Sequence, residues 1–89
     1  MSAPTISIRY FAGAASAAGR DEESIASPSP TPSLDSVLEH LATVRPEVSE
    51  VLTRCSFLWG GVAVRDPSVP LPLAPEGGTL DVLPPFAGG

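Results

Sequence analysis

"TLDVLPPFAGG", residues 79–89, decides how this chain is read. Its first five residues alternate. Leu80 and Val82 point one way, while Thr79, Asp81 and Leu83 point the other, and a period of two predicts a strand. Pro84 and Pro85 end that strand, because proline supplies no amide donor and locks its own backbone. Phe86, Ala87, Gly88 and Gly89 are then expected to project as a tail spanning, with the prolines, residues 84–89. Gly88 and Gly89 carry no side chains, so the end is thin enough for a narrow channel. A terminal carboxylate is ionised near neutrality. Such an anion attacks the α-phosphate of ATP when another protein positions the two, giving an electrophilic acyl-adenylate.

A second alternating stretch lies at the other end. In "TISIRYF", residues 5–11, Ile6, Ile8 and Tyr10 face one way and Ser7, Arg9 and Phe11 the other, again a strand. Gly13 and Gly19 read as turn points, and residues 22–26 as a short strand in a hairpin with the first. "SPSPTPS", residues 27–33, holds three prolines in seven residues and reads as a surface loop. The clearest helix follows. Leu34, Val37, Leu38 and Leu41 form one apolar stripe, Ser33 is the N-cap, Asp35 lies in the first turn and Arg45 in the last. Pro46 either limits the helix or opens a short second one, with Val48, Val51 and Leu52 inward. Residues 57–59 and 62–65 are strand-like, with a bulge or hairpin at Gly60 and Gly61. "PSVPLPLAPEGG", residues 67–78, is a loop with room only for short edge strands. The order describes one α+β domain, residues 1–89, with an amphipathic helix laid across a mixed sheet.

Composition narrows the partners. The net charge is −5, which disfavours a nucleic-acid backbone and suits a partner with a basic face. Lysine is absent, and all five basic residues are arginines. "MSAPTISIRYF" lacks the pattern of a signal peptide, and no apolar run is long enough to span a bilayer, so the expected location is cytoplasmic. Cys55 is the one cysteine and His40 the one histidine, so neither an internal disulfide nor a zinc cluster is expected. Cys55 reads as a small buried hydrophobe, His40 as solvated or stacked, and Trp59 as core or sheet surface. Asp21, Glu22 and Glu23 read as a solvated charge run, or as a contact for basic residues of an activating enzyme. No GxxxxGK loop is present, so ATP is not expected to bind the chain itself, and the activating enzyme would be separate.

With those residues in view, the chain resembles the small subunit of molybdopterin synthase, in the ubiquitin-like sulfur-carrier family. The likeness rests on "YFAGAASAAG", where the first strand runs out into a small-residue turn, and on "DVLPPFAGG" at the end, and it runs from about Thr5 to Gly89. It implies a β-grasp fold. It implies that an E1-like enzyme adenylates Gly89 with ATP and converts it to a thiocarboxylate, and that Gly88 keeps the tail narrow. It also implies insertion of the tail into the large synthase subunit, where sulfur passes to cyclic pyranopterin monophosphate. The expected partner contacts are Phe11, Leu83, Pro84, Pro85, Phe86 and Ala87, with Phe11, Leu83 and Phe86 as the docking patch. The pattern departs from the family at "EGGT", where Gly78 stands in place of a usual acid, and in the middle strand, where a usual asparagine is missing. Other readings are sulfur delivery to thiazole or cysteine synthesis, a protein modifier joined to lysines, and a passive interaction module.

Overall fold

The computed structural model describes residues 4–84. Strand β1 (Thr5–Tyr10) leads into helix α1 (Gly13–Ala18), strand β2 (Glu22–Ala26) and helix α2 (Leu34–Val44). A 3₁₀ turn (Pro46–Val48) runs into helix α3 (Ser49–Leu52), and strands β3 (Ser56–Trp59), β4 (Val62–Ala63) and β5 (Gly78–Leu83) follow. The strands form one sheet in the order β2-β1-β5-β3-β4. The last strand therefore lies at the centre. It runs parallel to β1, with Ile8 opposite Leu80 and Tyr10 opposite Val82, and antiparallel to β3. This mixed α+β arrangement is the β-grasp, ubiquitin-like topology.

Alternation explains the core. Ile6, Ile8, Leu80 and Val82 are fully buried, and they meet Ala14, Ala18, Leu34, Val37, Leu41, Val48 and Leu52 from the helical side in one cluster. Each large aliphatic side chain buried there contributes roughly 1.5–3 kcal/mol. The α2 stripe is narrower than the sequence suggests, with Leu34, Val37 and Leu41 buried and Leu38 only partly so. Ser33 caps α2 in a reciprocal box. Its hydroxyl accepts from the Ser36 amide at 3.2 Å, and its own amide donates to the Ser36 hydroxyl at 3.0 Å. Pro46 does open a second helical segment, with Val48 and Leu52 inward and Val51 half-buried. Gly60 and Gly61 form a two-residue hairpin, with φ of 57° and 85° and Trp59 opposite Val62.

Three expectations are corrected. Residues 13–18 are a helix rather than a turn, since four of the six are alanine, the best helix former, and the left-handed Gly19 ends it. Arg45 lies just past the last turn of α2, as its C-cap. Glu23 is not solvated; its side chain is 8% exposed. The register puts it opposite Ile8 on the helix-facing side of edge strand β2. There it accepts from the Tyr10 hydroxyl at 2.6 Å and from Arg45 Nε at 2.9 and 3.1 Å, with Arg20 Nη1 3.7 Å away. This knot ties β1, β2 and the end of α2 together.

The turn before β5 is tight. A Cβ on Gly77 would fall inside the Thr5 carbonyl oxygen, and φ there is 112°. A Cβ on Gly78 would sit 2.7 Å from Trp59 Cη2, against a ring pinned by its Nε1 donating to the Pro72 carbonyl at 2.7 Å. Gly78→Ala is therefore expected to cost about 1–3 kcal/mol, as overpacking does, read from urea unfolding followed by Trp59 fluorescence. An unchanged midpoint would show that the indole moves aside freely.

Burial, then the bonded Glu23 carboxylate beside it, raises the Tyr10 phenol above its ordinary value near 10. The folded state thus holds this proton more tightly than the unfolded chain. Its stabilising contribution is complete below about pH 10 and is lost as pH rises above that toward the folded value. Tyr10 is the one tyrosine, so an alkaline absorbance titration isolates it. The folded protein is expected to show no tyrosinate at the pH where the urea-unfolded chain is half ionised, and equal titration in both states would refute the knot.

Candidate functional site

Because the helices take one face of the sheet, the opposite face carries the remaining side chains. Arg9, Asp81 and Leu58 lie side by side there by register, and Leu83 follows Asp81 by two residues on the same face. The Phe11 amide donates to the Val82 carbonyl at 3.1 Å, which extends the ladder past β1 and brings Phe11 to the outgoing end of β5. Arg9 Cζ lies 5.4 Å from the centre of the Phe11 ring, within cation–π range. The patch is thus a half-buried apolar group of Phe11, Leu58 and Leu83 around the Arg9–Asp81 ion pair.

That pair is unusual for an open face. Arg9 Nε is 3.5 Å from Asp81 Oδ1, the Asp81 side chain is only 16% exposed, and Oδ1 is buried without a hydrogen-bond partner. A carboxylate oxygen cut off from water and left incompletely satisfied favours any donor brought to it.

Backbone conformation shapes the border of the patch. Ala12 has φ 49° and ψ −121°, and the Ala14 amide donates to the Phe11 carbonyl at 3.0 Å. This is a II′-type turn with alanine where glycine is preferred, a strain of order 1–3 kcal/mol. Phe11 is held at the start of that turn. A concavity of about 350 Å³ beside it is bordered by Arg9, Tyr10, Ala12, Asp21 and Glu22. An apolar groove of about 360 Å³ lies elsewhere, between β4 and residues 69–72, lined by Trp59, Val62, Val69 and Leu71.

Among the expected site residues, Phe11, Leu83 and Pro84 are half-buried, with Leu83 and Pro84 where β5 ends. Pro85, Phe86, Ala87, Gly88 and Gly89 lie outside the described residues. Leu58 is the member that sequence reading missed. The signal was the alternation in "SFLW", residues 56–59, which turns Leu58 away from Phe57 and Trp59. Cys55 is half-buried beside the core, its Sγ 3.1 Å from the Val51 carbonyl oxygen. Among the described residues, no group of three or more His, Cys, Asp or Glu is placed to hold a metal ion, and no helix is long and apolar enough to cross a membrane.

No family model matches the sequence, and no curated protein matches it. Solved structures do resemble the fold. SAMP1 from Haloferax volcanii is 20% identical, with a TM-score of 0.74 over 96% of this chain and 99% of its own. A putative molybdopterin converting factor, subunit 1, from Pyrococcus furiosus is 21% identical, with a TM-score of 0.77 over 94% and 100%. A third match, 18% identical with a TM-score of 0.65 over 96% and 99%, comes from the complex of subunits 1 and 2 of molybdopterin-converting factor from Helicobacter pylori. At these identities the shared property is the β-grasp fold, matched over nearly the full length of both partners.

If the outer face is surplus to folding, its side chains are cheap to remove. Phe11→Ala, Leu58→Ala and Leu83→Ala are each expected to cost about 1 kcal/mol or less, against about 2–5 kcal/mol for Leu80→Ala in the core. Urea unfolding of the four variants checks this, and a core-sized loss at Leu83 would return that residue to the fold.

Proposed function

We propose that this chain is a sulfur carrier acting in the cytoplasm as the small subunit of molybdopterin synthase. A separate E1-like enzyme uses ATP to adenylate the Gly89 carboxylate, releasing pyrophosphate. A sulfur nucleophile then displaces AMP and leaves a thiocarboxylate. The large subunit docks against Phe11, Leu58, Leu83 and the Pro84–Pro85–Phe86–Ala87 segment, and Gly88 and Gly89 enter its active site. Sulfur passes from the thiocarboxylate to cyclic pyranopterin monophosphate. The chain is no enzyme on its own, since the chemistry at both ends of the cycle belongs to its partners.

One observation carries the proposal: the central strand of the sheet is also the last, and it ends beside a half-buried apolar patch that the core does not use, directly before "PPFAGG". Likeness to a putative molybdopterin converting factor subunit 1, and to a complex of subunits 1 and 2, supports the molybdopterin branch. A second reading, a protein modifier joined to amines, is favoured by likeness to a protein called a small archaeal modifier. Both share the adenylate, so the acceptor distinguishes them.

The test is intact mass after incubation with the activating enzyme, ATP and a sulfur source. The expected gain equals replacement of one oxygen by sulfur, and deletion of Gly89 is expected to abolish it. Thiocarboxylated chain with the large subunit is then expected to convert cyclic pyranopterin monophosphate, and a Phe11→Ala/Leu83→Ala double variant to lose binding to that subunit. A chain that gains no sulfur, or gains it but never converts the pterin, would sink the proposal.

A further inference from the structure

We propose that the side chains of the folded body are inert toward the chain's own activated carboxyl end, so the acyl group is handed to other molecules and no second copy is added to a side chain of the body. This rests on the carboxyl end being activated, as proposed above.

An activated acyl group is captured by a free amine, a thiolate or a phenolate. Amines come first. The sequence contains no lysine; its cationic side chains are Arg9, Arg20, Arg45, Arg54 and Arg65. A guanidinium stays protonated at any physiological pH and offers no lone pair, whereas a lysine ammonium deprotonates readily near other groups. The arginines also fill the structural posts a lysine would take. Arg9 pairs with Asp81, Arg20 and Arg45 with Glu23, and Arg54 with Glu50 at 2.6 Å. Arg9 matters most here. It is the cation on the patch beside the end of β5, paired with Asp81 and lying over the Phe11 ring, so the charge on that patch is one that cannot be acylated.

The other nucleophiles are muted by the fold. Cys55 is the only thiol; it is half-buried, and its Sγ lies within hydrogen-bond reach of the Val51 carbonyl oxygen. Burial raises its thiol above the ordinary value, so little thiolate is present near neutrality. Tyr10 is 3% exposed and its hydroxyl is spent on Glu23. His40 lies on α2, on the helical side of the sheet. An acyl-imidazole there would hydrolyse rather than persist.

The test uses the full chain carrying a chemically made C-terminal thioester, with its α-amine blocked by dimethylation. Self-capture breaks the acyl C–S bond, forms a C–N or new C–S bond and releases the thiol, which takes up the proton lost by the nucleophile. The product has lost the thiol without gaining water, so mass spectrometry separates it from hydrolysis. Folded wild type near pH 8 is expected to give only thioester and hydrolysed acid, with no covalent dimers. Arg9→Lys and Arg54→Lys keep the charge and add one amine each. They are expected to self-acylate at least about tenfold faster than wild type, because the free-base fraction of lysine exceeds that of arginine by about two powers of ten. Unfolding wild type in urea, which frees Cys55, is expected to raise capture as well. The inference is overturned if folded wild type forms self-products as fast as the lysine variants, or if neither variant exceeds wild type. The thioester is made without the activating enzyme. An enzyme that refuses the chain would therefore defeat the sulfur-carrier reading and leave this inference standing.

Discussion

The parallel pairing of β1 with β5 is the constraint on which the rest of the structure depends. Ile6 and Ile8 on one strand and Leu80 and Val82 on the other are fully buried together, and no other pair of neighbouring strands contributes as many fully buried side chains. A parallel pair needs a crossover, and here the whole of residues 11–77 provides it, helices included. The cost of closing so long a connection grows only slowly with length, and burial of the shared core offsets it. The consequence is topological. The last strand is enclosed on both sides, so the chain can leave the sheet only from its end, beside Phe11 and Leu83.

Edge strands are the other exposure in such a sheet, and the two edges are handled differently. On β2 the inward-pointing Glu23 sits where an aliphatic residue would make a smooth, sticky edge; buried charge on an edge strand discourages pairing with another chain. That charge is tolerable because Tyr10, Arg45 and Arg20 surround it. The opposite edge, β4, is only two residues long and gives way to a segment containing Pro67 and Pro70. The same arginines that stabilise the fold thus supply its cations without supplying an amine, which joins stability and chemical inertness in one choice of residue.

How much of this was legible follows the range of each interaction. The strands of residues 5–10 and 78–83, the α2 stripe and its Ser33 cap depend on neighbours a few residues away, and period and capping residues display them. Helix α1 did not show, because a six-residue run flanked by Gly13 and Gly19 is too short to hold itself. It persists because Ala14 and Ala18 pack beneath the sheet, a contact set by tertiary structure. Glu23 looked solvated because Asp21 and Glu22 precede it; only the register with Ile8 turns it inward. Leu58 is hard to place from residues 57–59, because three consecutive apolar side chains do not say which of them faces the core. The Asp81 oxygen left without a hydrogen-bond partner is a matter of a few ångströms, and no linear pattern reports it.

The turn ahead of β5 sets the register of the whole strand, and with it the face that the far end presents. Gly78 leaves room for the Trp59 ring, and Trp59 is anchored in turn to the Pro72 carbonyl. Gly77 lets the backbone approach the Thr5 carbonyl, closer than any side chain would permit. Packing therefore fixes the start of β5, with Gly78 opposite Ile6. Because side chains alternate, a slip of one residue there would send Leu83 and Asp81 to the core face and Leu80 and Val82 to the open one. The direction in which the outgoing end of β5 presents its apolar surface is thus decided by a tryptophan lying against a glycine at the strand's other end.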